Sequence, residues 1–367
     1  MNKILISGYY GYDNLGDEAV LETILNNIRS VIEDSEITVL SSNPMATTAK
    51  YDVNSVGRSS IMGVIKALSK CDVLISGGGS LLQDVTSRLS IFYYLLIIMF
   101  GRMMGKKVMI YSQGIGPIRK PFNRRLTKWI LNNIQGITVR ESYSKTDLVE
   151  MGVRESLVEV TADPVVSMDV DHSANGIEVL KQYTNEVCIN KPKIGFALRG
   201  KAYSKDLESR ILKTIELIRS KMDVTIVFIP FYYNEDIKTI NEIKKTLDGD
   251  VIYLEKRHDA KEILGITKEL DVLVGERLHS LIFAAISCVP MVALSYDPKI
   301  HYFMETIESK AEFEINTFEP MLLVDRIFET YEQKSVLKEN LEKNMIKLNI
   351  QLKKNETILN DILNRKN

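Results

Sequence analysis

Short apolar runs alternate with longer amphipathic segments along most of the chain, and each kind predicts its own element. Lys3 to Ser7, Ile37 to Leu40, Asp72 to Ser76, Val108 to Tyr111, Ile137 to Glu141 and Val158 to Thr161 read as strands. Several have an unbroken apolar centre, as Ile4 to Ile6, Val73 to Ile75 and Val108 to Ile110 do, which is the pattern of parallel strands covered on both faces. Segments with helical period lie between them, at Glu18 to Ile32, Phe122 to Asn133 and Ser142 to Met151, the last stopped by Gly152. The same alternation restarts with strands Ile194 to Leu198, Val224 to Ile229, Val251 to Leu254, Val272 to Val274 and Pro290 to Leu294. Helices Leu207 to Ser220, Asp236 to Leu247, Ala260 to Leu270 and Leu281 to Ile286 belong to that second set, and from about Met321 the chain reads as helix to its end. Strand–helix alternation of this kind predicts an α/β protein with parallel sheets.

Between the two sets, Asp169 to Lys191 lacks an apolar period and contains Asn175-Gly176, so a boundary is expected there. The expected organisation is an N-terminal Rossmann-like lobe over 1–172, a C-terminal one over 190–320, and helices over 321–367 that pack across. Asp72-Val-Leu-Ile-Ser-Gly-Gly and Asp271-Val-Leu-Val-Gly-Glu-Arg echo one another. They read as equivalent strands of two similar halves facing a cleft.

A length of 367 residues allows two real cores. The formal net charge of −1 creates no field that would draw in nucleic acid. Cys71, Cys188 and Cys288 lie far apart and the four histidines are scattered, so no metal site or cofactor is expected. The chain enters its first strand directly after Met1 with no apolar leader, so a cytoplasmic location is expected. Ile91 to Phe100 is too short for the roughly 20 residues of a membrane span. A buried helix is the simpler reading. Its basic flank, Arg102, Lys106 and Lys107, keeps open an interfacial helix resting on a membrane.

The candidate chemistry sits where strands end. After Val272 to Gly275 come Glu276, Arg277, His279 and Ser280, just ahead of an apolar helix. In a doubly wound sheet this is the edge where ligands sit, and the helix N-terminus favours an anion. Arg277 can fork onto a carboxylate or phosphate, and His279 suits proton transfer near neutral pH. The plainer alternative is an Arg–Glu surface pair and a histidine capping its own helix. Arg140 and Arg199 each follow an apolar strand directly, where a structural arginine would need a carboxylate partner. Gly8 to Asp17, with Asp13 and Asn14, is glycine-rich but is neither the dinucleotide pattern nor a Walker loop. Gly77, Gly78 and Gly79 permit close backbone approach to a ligand, or only a tight turn. Together the arginines suggest a small, multiply anionic ligand.

Six motifs then occur in order: Gly8-Tyr-Tyr-Gly-Tyr-Asp-Asn-Leu-Gly-Asp-Glu-Ala19, Gly77-Gly-Gly-Ser-Leu-Leu-Gln-Asp84, Gln113-Gly-Ile-Gly-Pro117, Arg140-Glu-Ser142, Ala162-Asp-Pro164 and Gly275-Glu-Arg-Leu-His-Ser280. In this the sequence resembles the polysaccharide pyruvyl transferase family, in particular its bacterial cell-wall branch, whose products anchor surface-layer proteins. The resemblance runs from the first strand to about Pro298. It implies a glycosyltransferase-B-like (GT-B) fold. It further implies transfer of the enolpyruvyl carbon of phosphoenolpyruvate onto two hydroxyls of one sugar, giving a cyclic ketal and phosphate. The implied acceptor is an N-acetylmannosamine unit on a lipid-linked precursor, with phosphoenolpyruvate as co-substrate and no cofactor. Peripheral contact with the inner face of a membrane would result, through Ile91 to Phe100 or the charged C-terminal helix. The resemblance places Arg277 and His279 in the donor site, with Arg199, Arg140, Asp84, Gly78, Gly79, Asp13 and Asn14 as further candidates. For the acid that protonates the methylene carbon, the order of candidates is Asp84, Glu276, Asp13. A nucleotide-sugar glycosyltransferase and a non-catalytic two-lobed binding protein are the alternatives.

Overall fold

Strands that are apolar on both faces must be covered on both, and helices provide the cover in each half of the chain. The computed structural model describes residues 1–85, 89–200 and 204–364. These form two units, Met1–Tyr12 with Asp17–Ser167 and Leu348–Asn367, and Asp13–Gly16 with Met168–Lys347.

The first unit runs β1 (Asn2–Tyr10), α1 (Leu15–Val31), β2 (Ser35–Ser41), α2 (Pro44–Tyr51), β3 (Asn54–Gly57), α3 (Ile61–Lys70), β4 (Val73–Gly77) and α4 (Ser90–Met103). It continues through β5 (Lys107–Gln113), α5 (Pro121–Leu131), β6 (Gly136–Val139), α6 (Ser142–Glu150) and β7 (Val158–Val160). Among the described residues the strands make one parallel sheet in the order β3-β2-β1-β4-β5-β6-β7. α3, α4, α5 and α6 bury Leu68, Ile98, Ile130 and Leu148 in one apolar core with Leu74 and Ile110 of the sheet.

The second unit opens with two short helices, α7 (Gly176–Leu180) and α8 (Glu186–Asn190). Asn175 and Asn185 cap them, accepting from the amides of Glu178 and Cys188. Five residues are too few to show an apolar period, so the sequence of this stretch reads as irregular. The sheet follows as β8 (Lys193–Ala197), α9 (Lys205–Lys221), β9 (Thr225–Phe228), α10 (Tyr233–Lys244), β10 (Val251–Tyr253), α11 (Ala260–Lys268), β11 (Val272–Gly275) and α12 (Leu278–Ile286). Then come β12 (Met291–Ser295), α13 (Pro298–Thr306), β13 (Phe313–Glu314) and α14 (Pro320–Glu332). The strand order is β10-β9-β8-β11-β12-β13, again parallel.

The helical C-terminus is α14, α15 (Lys334–Leu352) and α16 (Lys354–Asn364); residues 365–367 lie outside the described residues. α16 belongs to the first unit. Its Asn355 is fully buried and bonds the hydroxyls of Thr138, at 2.5 Å, and Ser112, at 2.8 Å. Leu359 and Ile362 are buried beside it.

The echo between Asp72 and Asp271 has a structural cause. β4 lies between β1 and β5, and β11 lies between β8 and β12, so the two strands are topologically equivalent. Asp72 accepts the amide of Lys3 at 2.8 Å, and Asp271 accepts that of Lys193 at 2.9 Å. Each aspartate thus ties the start of a central strand to the first strand of its unit.

Candidate active site

In the second unit the strand order reverses between β8 and β11, which is where a parallel sheet opens a crevice for ligands. Register pairs Ala197 with Gly275, and Gly275 with Ala293. The residues just past these strands are therefore brought together: Arg199 after β8, Glu276 and Arg277 after β11, and Tyr296 after β12. Glu276 accepts the amide of Arg199 at 2.7 Å and donates its own amide to Ala197 at 3.0 Å. Arg199 lays its guanidinium over the Tyr296 ring, 4.4 Å from the centroid. Among the described residues the buried Nε of Arg199 has no hydrogen-bond partner.

α12 begins at Leu278, three residues earlier than its apolar run suggests, so Arg277 is the N-cap and His279 lies in the first turn. The arginine fork expected to grip a ligand grips Asp236 instead. Nε donates to Oδ2 at 3.2 Å and Nη2 to Oδ1, with Glu235 3.5 Å away. Asp236 is fully buried on α10 and also accepts from the amides of Gly200, Phe231 and Tyr232, at 3.0, 3.1 and 2.8 Å. So many fixed donors make Asp236 a rigid partner that sets the direction of Arg277 and leaves Nη1 outside the pair. Asp236 is not among the candidates picked from the sequence. Its signal is the polar and aromatic stretch Phe231-Tyr-Tyr-Asn-Glu-Asp236, which comes after β9 as the other clusters come after their strands.

Burial pushes the Glu276 carboxyl up to about 7, against the opposing pull of the Arg199 amide and the two guanidiniums. A carboxylic acid that keeps its proton near neutral pH is a proton donor in waiting. Asp13 and Asn14 belong to this unit as well. Asp13, at φ 58°, pairs with Arg257 at 2.7 Å, and Leu15 donates its amide to Phe231 at 3.0 Å. Gly16 faces the His279 ring so closely that any Cβ there would overlap it. A glycine is required at that point for the imidazole to keep its place.

The remaining candidates lie in the first unit, and each is engaged in the fold. Arg140 is buried with all three nitrogens occupied, by Glu141 at 2.8 Å, Asp163 at 3.1 Å and Ser80 at 3.0 Å. That is the carboxylate pairing a structural arginine needs, with three of its five N–H donors engaged. Asp84 accepts from the amides of Arg119 and Lys120 and from Asn123, at 2.9, 3.0 and 2.8 Å. Burial would raise its pKa, but these donors hold it below the ordinary value. It is therefore ionised at neutral pH and carries no proton for the carbon acid step. On titration alone, Glu276 suits the carbon acid step better than Asp84. Gly78 and Gly79 have φ of 61° and 67°, and Gly78 lies against Val20 of α1 where a side chain would collide. At Gly78 the packing of Val20 is itself a reason for a glycine. Among the described residues no cluster of three or more His, Cys, Asp or Glu is placed to hold a metal ion.

Two parallel sheets of this construction define the GT-B class, and solved structures agree. Over the whole of both chains, a UDP-GlcNAc 2-epimerase from Neisseria meningitidis bound to UDP-GlcNAc is similar at 14% identity and TM-score 0.66. The Anabaena protein HepE in complex with UDP and glucose is similar at 13% identity and TM-score 0.63, covering 99% of each chain. A glycosyltransferase from Rickettsia africae is similar at 13% identity and TM-score 0.62, covering 100% of this chain and 99% of its own. At such identities the likeness concerns the fold alone. The particular family comes from sequence: the model of the polysaccharide pyruvyl transferase family matches residues 14–298, and the chain belongs to that family. It is thus an enzyme that transfers pyruvate onto polysaccharide. The match begins at Asn14, after the first strand, and ends at Pro298. No curated protein gives a significant sequence match.

Proposed function

We propose that the enzyme takes pyruvate from phosphoenolpyruvate and places it as a cyclic ketal on one sugar of a lipid-linked cell-wall precursor. N-acetylmannosamine is the expected sugar, and the reaction runs at the cytoplasmic face of the membrane. One hydroxyl adds to C2 of the enol while a proton goes to the methylene carbon, which becomes the methyl group. The second hydroxyl then displaces phosphate from C2, and the two hydroxyl protons leave to bases. Arg199 and Arg277 are the groups for the donor's carboxylate and phosphate, with the first turn of α12 adding amide donors. Glu276 supplies the carbon proton, and His279 takes a hydroxyl proton or holds the phosphate as a cation. The observation that carries this reading is a protonatable Glu276 set between two arginines, one with a buried nitrogen lacking a partner.

The test is incubation with phosphoenolpyruvate and a lipid-linked aminosugar disaccharide, following phosphate release and the mass of the product. Both should appear together, and His279→Gln should abolish phosphate release while donor binding stays measurable. A second reading, sugar transfer from a nucleotide sugar, is favoured by the UDP-bound proteins of similar fold. If product forms only when UDP-sugar is supplied, that reading replaces the first. Donor binding without phosphate release would leave a non-catalytic binding protein.

A further inference from the structure

We propose that the outer faces of α3, α4 and α5 form a docking surface for an anionic lipid bilayer. These helices lie side by side in one layer: Gly101 of α4 sits close to Leu68 of α3, and the rings of Phe92 on α4 and Phe122 on α5 are 6.4 Å apart. All three come after strands of one parallel sheet, so their first turns line up along its carboxyl edge. Ile61 and Met62 occupy the first turn of α3, Leu89 caps α4, and Phe122 is in the first turn of α5. Each is a large apolar side chain in water, from 65% exposed at Phe122 to 78% at Ile61. Further along the same layer Phe100, Met103 and the chain's single tryptophan, Trp129, are exposed as well. Large apolar side chains exposed together at the first turns of three neighbouring helices mark an interaction site.

Charge selects the partner. From Val85 to Arg140 the sequence contains no Asp or Glu, although the whole chain is nearly neutral. Arg119, Lys120 and Arg125 are exposed beside Phe122, and Lys66 and Lys70 are exposed on α3. Protruding Ile, Met, Leu and Phe ringed by cations of one sign suit the headgroup boundary of an anionic leaflet. The exposed Trp129 is of the kind enriched at that boundary. The C-terminal α15 offers a contrast: its exposed Val336, Ile346 and Ile350 stand among four Lys and two Glu, and Lys334 and Lys347 are paired with Asp271 and Glu308, so acids offset much of its positive charge. No helix among the described residues is long and apolar enough to cross a membrane, so the contact is peripheral.

The experiment is co-sedimentation of the full chain, without substrate, with phosphatidylcholine vesicles that contain or lack phosphatidylglycerol. Binding should require phosphatidylglycerol and weaken with salt. Arg119→Gln with Lys120→Gln should weaken it about 25-fold, from roughly fivefold for each basic residue. Phe122→Ser should weaken it about tenfold by removing one buried aromatic. These side chains are exposed, so thermal unfolding should not change. Absence of binding at low salt, or equal binding by the variants, overturns the proposal. So does a change in oligomeric state on sedimentation velocity without lipid binding, which would assign the face to a second copy of this chain. Because no substrate is present, the outcome is independent of the donor chemistry.

Discussion

β4 and β11 hold the same place in their sheets and are tied in by the same aspartate bond, yet the residues beyond the two strands differ. After β4 the chain turns through Gly78 and Gly79, and helix α1 packs so tightly on Gly78 that a side chain has no room. After β11 it places Glu276, Arg277 and His279, and its neighbours add Arg199, Asp236 and Tyr296. The arginines extend the contrast. Arg140 has every nitrogen matched within its own unit, whereas Arg199 has a buried nitrogen without a partner and a ring beneath its face. Equivalent topology therefore does not mean equivalent chemistry. A strand end becomes a candidate site when its polar groups exceed what the fold itself satisfies.

The sharpest way to break this comparison is to remove the two arginines separately. Arg140→Ala leaves Glu141 and Asp163 buried without their cation, and should cost about 3–5 kcal/mol of stability. A urea titration would show a lowered midpoint, while the folded fraction keeps its turnover. Arg199→Ala removes a cation that the fold does not need for neutrality. Its urea midpoint should barely move, and turnover should fall by roughly 10²–10³-fold, as for loss of one preorganised anion donor. The opposite pattern, a stable Arg140→Ala protein that is inactive, would move the anion site to the first unit.

Glu276→Gln sharpens the comparison within the second unit. The carboxyl sits at about 7 in the folded protein, above the value near 4.3 of an unfolded chain. Folding therefore favours its protonated form. The stability this provides is full below the unfolded value and disappears as pH rises through about 7, a change of order 3 kcal/mol. Above pH 7 the Glu276→Gln protein should be the more stable of the two, and below about pH 4 the difference should vanish. If Glu276 delivers the carbon proton, wild-type turnover falls as pH rises through about 7. The variant should lose about 10²–10⁴-fold and show no such limb. A variant that retains both turnover and limb would assign the proton to another group.

The α/β class was legible in the sequence because short strand-like runs, several with an unbroken apolar centre, alternate with amphipathic segments, and the runs named as strands are strands of the structure. α2, β3 and α3 were not legible in the same way, since Pro44 to Lys70 alternates weakly and β3 is half-exposed at the sheet edge. Asn43 before Pro44 was a usable helix-start signal there. At the site, sequence pointed to the strand ends and to Arg199, Glu276, Arg277 and His279 by position. It could not show partners. Whether an arginine is matched, as Arg140 is, or held in waiting, as Arg199 is, depends on residues far away in the chain. Asp236 escaped for the same reason, since only the folded unit brings it to Arg277.

The smallest effect tests Asp84, the first of the sequence candidates for the carbon acid. Asp84 lies after the glycine turn of the first unit, where three donors hold its charge. Asp84→Asn keeps the shape but turns an amide group toward some of those donors. The cost should be about 1–3 kcal/mol, that of hydrogen bonds to a buried charge. Because the carboxyl is held below its ordinary value, its contribution is full above the unfolded pKa near 3.9 and is lost as pH falls through the lowered folded one. The gap in unfolding midpoint between wild type and Asp84→Asn should therefore be constant at neutral pH and close in acid. Turnover at neutral pH should be unchanged. If turnover collapses while the midpoint holds, Asp84 is chemically engaged after all, and the contrast between the two strand ends no longer separates structure from catalysis.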